Sequence, residues 1–143
     1  MRNSELNYDD GLVAYAVNGG KATIIINPTD GAFVERLFNV FYELDERKDR
    51  YEAEVKSVSS DRGIFEVARR RDSEMRELID SIFDEPVCGD VFGRMNLNAM
   101  ANGLPVWCNF MFSLMDETDT TFAREQKATN PRIAKYTAKY NKK

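Results

Sequence analysis

Carboxylate side chains are the groups in this 143-residue chain that come closest to a metal-binding arrangement. They form two short clusters of three, Asp84/Glu85/Asp90 and Asp116/Glu117/Asp119. Carboxylate oxygens are preferred ligands of Mg²⁺ and Ca²⁺, but neither cluster has the spacing of an EF-hand loop. The chain also has no histidine, which is the commonest general base and zinc ligand. We therefore predict no catalytic residue, no metal site and no cofactor.

Three other features of the sequence are candidate phosphate-binding or base-binding sites. The segment 89–93, Gly-Asp-Val-Phe-Gly, lacks the Lys-Ser/Thr of a P-loop and the spacing of a dinucleotide fingerprint, which favours a turn. The triplet 69–71 is Arg-Arg-Arg, but acids lie three and four residues away, which favours a solvated, ion-paired helix face. No basic residue is interleaved with Trp107, Phe110 and Phe112, as base stacking would require. Nucleic acid is therefore not an expected partner.

A segment without charged residues, from Met95 to Met115, is the most distinctive feature of the chain. It is long enough to span a bilayer, but its four asparagines and Pro105 favour the interior of a globular domain. Pro105 is expected to open an apolar helix of about 10 to 12 residues. Because its apolar residues occupy nearly all sides, the helix is either central in the fold or faces the core with one half and an interface with the other. The second arrangement is favoured for so small a domain. The candidate interaction residues here are Trp107, Phe110, Met111, Phe112, Leu114 and Met115.

Charge is distributed unevenly along the chain. The first 123 residues carry 13 basic and 23 acidic residues, a net charge of −10, whereas residues 124–143 carry seven basic residues and one acid, +6. We predict one helical domain over 1–123 and a basic tail over 124–143. Ile133, Tyr136 and Tyr140 of the tail repeat at helical spacing and complete the candidate interaction residues. The tail is expected to dock on the acidic body of a neighbouring copy, which makes the protein a homo-oligomer.

A β-hairpin is predicted over residues 12–26. Two apolar, β-branched stretches, 12–17 and 22–26, flank Asn18-Gly19-Gly20-Lys21, and Asn-Gly supplies the positive φ angles of a type I′ turn. A two-stranded ribbon is marginal by itself. Its Ile24/Ile26 face must therefore rest on the helices of its own chain or pair with strands of another chain.

Two helices are predicted next. Asn27 is expected to cap the first helix and Pro28 to occupy its first turn. Apolar residues then recur at heptad-like spacing. One helix of about 40 Å is therefore predicted over residues 32–58. Residues 57–63 interrupt the pattern, and a second helix covers 64–83. A helical hairpin within the chain is favoured over a coiled coil between chains. The predicted fold class is mainly α with an N-terminal β-hairpin (α+β): a long helical hairpin plus a short apolar helix.

The two cysteines, Cys88 and Cys108, form neither a C-x-x-C motif nor a metal-ligand pair. We interpret both as small buried hydrophobic residues of a reduced, intracellular chain, with a disulfide between them as the alternative.

The stretch from Arg76 to Glu117 carries a resemblance to a known group of proteins. It begins with Arg-Glu-Leu-Ile-Asp-Ser-Ile-Phe-Asp-Glu-Pro-Val-Cys-Gly-Asp-Val-Phe-Gly and continues with Asn96-Leu97-Asn98 and a helix ending Asp116-Glu117. This stretch resembles small proteins from tail-gene regions of siphophages of Gram-positive gut bacteria. The shared pattern is a helix ending Ile-Asp-x-x-Phe-x-Glu, a Phe-Gly turn, an Asn and a final aromatic helix. The resemblance implies a bacteriophage tail assembly chaperone, which coats the tape-measure protein while the tail tube polymerises.

That role needs apolar binding surfaces and self-association but no catalysis, and an acidic body keeps such a protein soluble. The resemblance places the protein in the host cell cytoplasm, with the virion as the alternative, and names the tape-measure protein or other tail components as partners. Two other functions agree with the same features: a virion structural subunit of the tail or head, and a phage-encoded inhibitor of a host defence enzyme.

Overall fold

Three long helices and a β-hairpin enclose one apolar core in the computed structural model, which describes residues 1–140, the side chain of Tyr140 excepted. The elements in chain order are β1 (Val13–Val17), β2 (Ala22–Ile26), α1 (Gly31–Ser57), α2 (Asp61–Asp80), α3 (Cys88–Phe92), β3 (Met100–Ala101), β4 (Leu104–Pro105), α4 (Val106–Lys127) and α5 (Pro131–Tyr140). The chain is mostly helical and opens with an antiparallel hairpin, which confirms the predicted α+β class with a helical hairpin.

The N-terminal hairpin has the turn that its sequence predicts. Strands β1 and β2 pair antiparallel, with Val17 opposite Ala22 across a four-residue loop. Asn18 and Gly19 have φ angles of 45° and 79°, the positive values of a type I′ turn, and the Gly20 N–H donates to the Val17 carbonyl at 3.1 Å. The inward residues of β2 are Ala22, Ile24 and Ile26, and all are buried in the core. The hairpin therefore rests on helices of its own chain.

The N-cap of the first helix lies three residues after the predicted cap, Asn27. Asp30 is the N-cap, and its carboxylate accepts a hydrogen bond from the Ala32 N–H at 3.0 Å. Asn27 instead accepts from the Thr29 N–H at 2.9 Å. The predicted cap at Asn27 is wrong because an Asx turn uses the same side-chain oxygen that a cap would use.

The helices α1 and α2 run antiparallel against each other. Ser60 caps α2 by accepting from the Gly63 N–H at 3.1 Å, so α2 begins at Asp61 and ends at Asp80, earlier at both ends than predicted. Gly63 is required here, because a Cβ on it would lie 2.2 Å from the Val58 side chain. Along the helical hairpin, buried Tyr51 of α1 donates to Glu74 of α2.

A short helix follows where a turn was predicted. The Asp80 carboxylate accepts from the backbone N–H groups of Val87 and Cys88, at 2.8 and 2.9 Å. These two bonds hold the start of α3, which spans Cys88–Phe92. The glycines at 89 and 93 therefore do not bracket a simple turn, since Gly89 lies inside α3 and only Gly93 terminates it, with a φ of 57°.

An ion pair on α2, Asp72 with Arg76, holds the loop that leads to the last long helix. Asp72 accepts from the Leu97 N–H at 2.7 Å and from Arg76 at 2.9 Å. Arg76 also donates to the carbonyls of Gly93 and Met95, at 2.9 and 2.8 Å. The loop then forms the two-residue strand pair β3–β4. These side-chain bonds substitute for regular backbone pairing in the loop.

The apolar helix α4 is twice as long as predicted, 22 residues from Val106 to Lys127. No glycine or proline interrupts this range, and its polar second half keeps Thr118 and Thr121 buried. Arg124 and Lys127 stand in its last turn, where positive charge favours the helix dipole. The helix therefore crosses the predicted boundary between residues 123 and 124, and the structural break in this region falls at 128–130, before α5.

We predict that Asp72→Ala lowers the free energy of unfolding by about 1–3 kcal/mol, because it leaves the Leu97 N–H and the Arg76 guanidinium without their carboxylate partner. The exposed carboxylate of Asp84 provides the control, and Asp84→Ala should change stability by less than about 0.5 kcal/mol. Urea unfolding of both variants measures the difference. Equal stability of the two variants would contradict the role given to Asp72.

Candidate protein-binding surface

The apolar residues at the start of α4 divide between core and surface. Trp107, Met111 and Leu114 are 5%, 0% and 7% exposed, and they share one face of the helix at i, i+4 and i+7. Phe112 is 37% exposed. Phe110 and Met115 lie between these extremes and pack against the core. Of the six candidates on this helix, three therefore form the interior and Phe112 reaches the surface.

Phe112 belongs to a surface group of four rings, here called the aromatic patch: Phe38, Phe41 and Tyr42 of α1 and Phe112 of α4. Phe41 is its centre, with ring centroids 6.0 Å from Tyr42 and 5.5 Å from Phe112. Phe38 lies 6.3 Å from Tyr42. Tyr42 is 57% exposed, and Phe38 is partly buried. The patch joins neighbouring turns of two helices into one apolar surface.

The aromatic patch stands on the core. The Phe41 ring lies 5.8 Å from the ring of buried Trp107 and is tilted against it. The rings of the patch are therefore in contact with an aromatic side chain of the core. Aromatic pairs of this kind contribute about 0.5–1.5 kcal/mol beyond area burial, which limits the motion of the outer rings. Phe38 and Tyr42 were not among the predicted interaction residues, although the sequence carries a signal for them: three aromatic residues at i, i+3 and i+4 on one predicted helix.

A second surface feature, here called the hairpin groove, lies between the β1–β2 hairpin and the first half of α4. Its volume is about 500 Å³. The apolar lining includes Ile24, Ile26, Val91, Phe92, Phe110 and Leu114, and the polar lining includes Tyr15, Lys21, Asn109, Ser113 and Glu117. The Tyr15 hydroxyl donates to the Glu117 carboxylate at 3.2 Å, and burial raises the pKa of Tyr15. The groove combines apolar walls with a few polar groups, as binding clefts do.

The two cysteines are free and belong to different environments. Cys88 is buried, and its thiol donates to the Arg76 carbonyl at 3.6 Å. Burial, together with Asp80, raises the pKa of Cys88 far above that of an ordinary thiol, so it stays protonated and unreactive. Cys108 is half-buried, and burial also raises its pKa, with Asp45 adding to the shift. The interpretation of Cys88 as a buried hydrophobic residue agrees with these surroundings.

The charged clusters of the sequence do not converge on a reactive centre. Asp116 and Asp119 are exposed and Glu117 turns toward Tyr15. Within residues 1–140, no group of three or more His, Cys, Asp or Glu side chains is arranged to hold a metal ion. In the arginine triplet, Arg70 pairs with Glu54 across the helical hairpin and Arg71 lies 4.8 Å from the centre of the Tyr51 ring. The partners of these arginines are therefore on α1, not on α2 itself.

The C-terminal helix α5 carries the remaining candidates. Ile133 is 71% exposed and Tyr136 is 40% exposed. The cationic groups of Arg132 and Lys135 lie 5.9 and 5.3 Å from the centre of the Tyr136 ring. The side chain of Tyr140, like residues 142 and 143 of the predicted basic tail, lies outside the described residues.

In comparisons with known proteins, no family model, no curated protein and no solved structure matches the chain. None of the helices in the described part of the chain has the length and apolar character needed to cross a membrane. The resemblance to siphophage tail proteins therefore depends on the motif over residues 76–117, and it stays a prediction.

We predict that Trp107→Ala lowers the free energy of unfolding by about 3–5 kcal/mol, because it opens a cavity beneath the aromatic patch. Phe112→Ala removes a ring from the same helix and is the matched comparison. Since Phe112 is already 37% exposed, its loss should cost only about 1–2 kcal/mol. Thermal and urea unfolding measure both values, and a larger loss for Phe112→Ala than for Trp107→Ala would contradict the division of α4 into core and surface.

Proposed function

We propose that this chain is a non-enzymatic protein-interaction module that works as a phage tail assembly chaperone, binding helical segments of the tape-measure protein through the aromatic patch. The observation that carries the proposal is the patch itself: rings from two helices are exposed together and supported from below by buried Trp107. The resemblance over residues 76–117 supplies the class of client.

The chemistry of the aromatic patch suits an apolar helix. Aromatic rings are enriched in the buried centres of protein interfaces and among the residues whose loss weakens binding most. Phe38 and Tyr42 are one turn apart on α1, and Phe112 extends the surface sideways onto α4. A client helix that presents apolar residues at i, i+3 and i+4 can lay them against this surface.

The patch is also prepared for binding before a client arrives. Its rings project from α1 and α4, which pack against the same core, and Phe41 touches rings on both sides. Binding then orders few new side chains, which lowers the entropic cost of association. The net charge of −10 over the first 123 residues keeps such a surface soluble while it is unoccupied.

The proposed site of action is the host cell cytoplasm during tail assembly, where a tape-measure protein would otherwise expose long apolar helices. A chaperone leaves the particle when assembly ends. The chain should therefore be abundant in infected-cell lysates and missing from purified virions. Mass spectrometry of purified virions distinguishes this role from a structural one, since a stoichiometric signal there would favour a virion subunit.

The proposal predicts that Tyr42→Asp weakens client binding by at least about 30-fold in Kd, the scale of an interface hot spot. The variant places a charge in the apolar patch, next to the Phe41 ring at its centre. Phe65→Asp is the matched control, because Phe65 is an aromatic residue of α2 that is 61% exposed and lies outside the patch.

Calorimetry with synthetic peptides that tile the tape-measure protein of the same phage measures the binding. Thermal unfolding of each variant first establishes that the fold is retained. If no peptide binds the unmodified chain, the chaperone function is wrong. If peptides bind and Tyr42→Asp weakens them no more than Phe65→Asp does, the patch is the wrong surface.

A further inference from the structure

The hairpin groove has an apolar interior that the chain itself leaves open. Its walls bring Ile24 of the hairpin opposite Phe110 and Leu114 of α4, and its volume is about 500 Å³. The groove lies on the flank of α4 away from Phe112, so a client on the aromatic patch does not fill it. A cleft of this size accepts several side chains from a partner.

The helix α5 has the complementary chemistry. Ile133 and Tyr136 share one side of the helix, and Ile133 is 71% exposed. The other sides carry Arg132, Lys135 and Lys139 and no acid. An amphipathic helix of this kind is stabilised when its apolar side enters a groove on a partner.

The Phe110 end of the groove in the same chain is out of reach of Ile133. Three residues separate Lys127 from Pro131, and the four Cα–Cα steps between them span at most about 14 Å when extended. Ile133 lies two helical residues beyond Pro131, about 5 Å farther, so its Cα stays within about 19 Å of the Cα of Lys127. Phe110 lies about 26 Å from Lys127 along α4. An occupant of the groove wall at Phe110 must therefore come from another molecule.

Electrostatics favours a second copy as that molecule. The first 123 residues have a net charge of −10, while Arg132, Lys135 and Lys139 make α5 strongly basic. The groove lining includes one acid, Glu117, and one base, Lys21. The attraction is therefore mainly between the basic helix and the acidic body as a whole, and it weakens as salt screens it.

We propose that α5 of a second copy places its Ile133 side in the hairpin groove. The contact joins two different surfaces, a helix on one molecule and a groove on the other, so it is heterologous and each copy offers one of each. It is independent of the client surface, and Tyr42→Asp should leave self-association unchanged.

Two variants remove the two halves of this contact. Ile133→Glu puts a charge on the apolar side of α5. Ser113→Trp fills the groove from its wall, where Ser113 is exposed and outside the core. Ala138→Glu is the control for α5, because it adds the same charge about 140° around the helix from Ile133. Circular dichroism first establishes that each variant keeps its helices.

Light scattering at micromolar concentration gives the test. The unmodified chain and Ala138→Glu should have masses above 16.4 kDa that fall with added salt, whereas Ile133→Glu and Ser113→Trp should each have the monomer mass. An equimolar mixture of these two variants should associate again, because one supplies an intact groove and the other an intact helix. A monomeric unmodified chain, or a mixture that stays monomeric, overturns the proposal, as does an Ile133→Glu variant that still assembles.

Discussion

The backbone of Leu97 is the connection on which the arrangement of the helices depends. Its N–H donates to Asp72 of α2, and its carbonyl accepts from the Trp107 N–H in the first turn of α4, at 3.2 Å. No side chain caps α4, whose preceding residue is Pro105. Because the first N–H groups of a helix have no partner within it, this loop supplies what a capping side chain would. The carboxylate of Asp72 thus holds the loop on which the first turn of α4 rests.

The rotation of α4 decides which surfaces the protein has. With Met111 fully buried, Phe110 and Phe112 each turn about 100° away from it, in opposite directions. Phe110 therefore reaches the hairpin groove, where it packs 5.5 Å from Phe92, and Phe112 reaches Phe41 on the other flank. A helix that is apolar all round is costly to leave exposed, and this domain is too small to surround it. Because the stripe that contains Met111 is buried, apolar residues on both flanks of α4 reach the surface, one flank in the hairpin groove and the other in the aromatic patch.

The sequence predicts the elements well and their ends less well. The hairpin turn depends on Asn18-Gly19, and the start of the apolar helix on Pro105, so local chemistry identifies both. The length of α4 was missed because its second half is polar, while its burial is set by packing around Thr118 and Thr121. Because apolar residues lie on all sides of this helix, the sequence does not indicate which side is buried, and it could not separate Met111 from Phe112. That distinction comes from tertiary packing, since Met111 joins a core built from residues far apart in the chain.

The aromatic patch and the hairpin groove suit different kinds of partner. The aromatic patch consists of uncharged rings on two helices, so it suits the apolar side of a long helix. The hairpin groove is concave and has polar groups such as Tyr15 and Glu117 at defined positions, so it selects one side chain pattern. Because they occupy opposite flanks of α4, occupation of one does not block the other. A chain that links copies through the groove can then present a row of patches, and a row of weak sites binds a long client far more tightly than one site does.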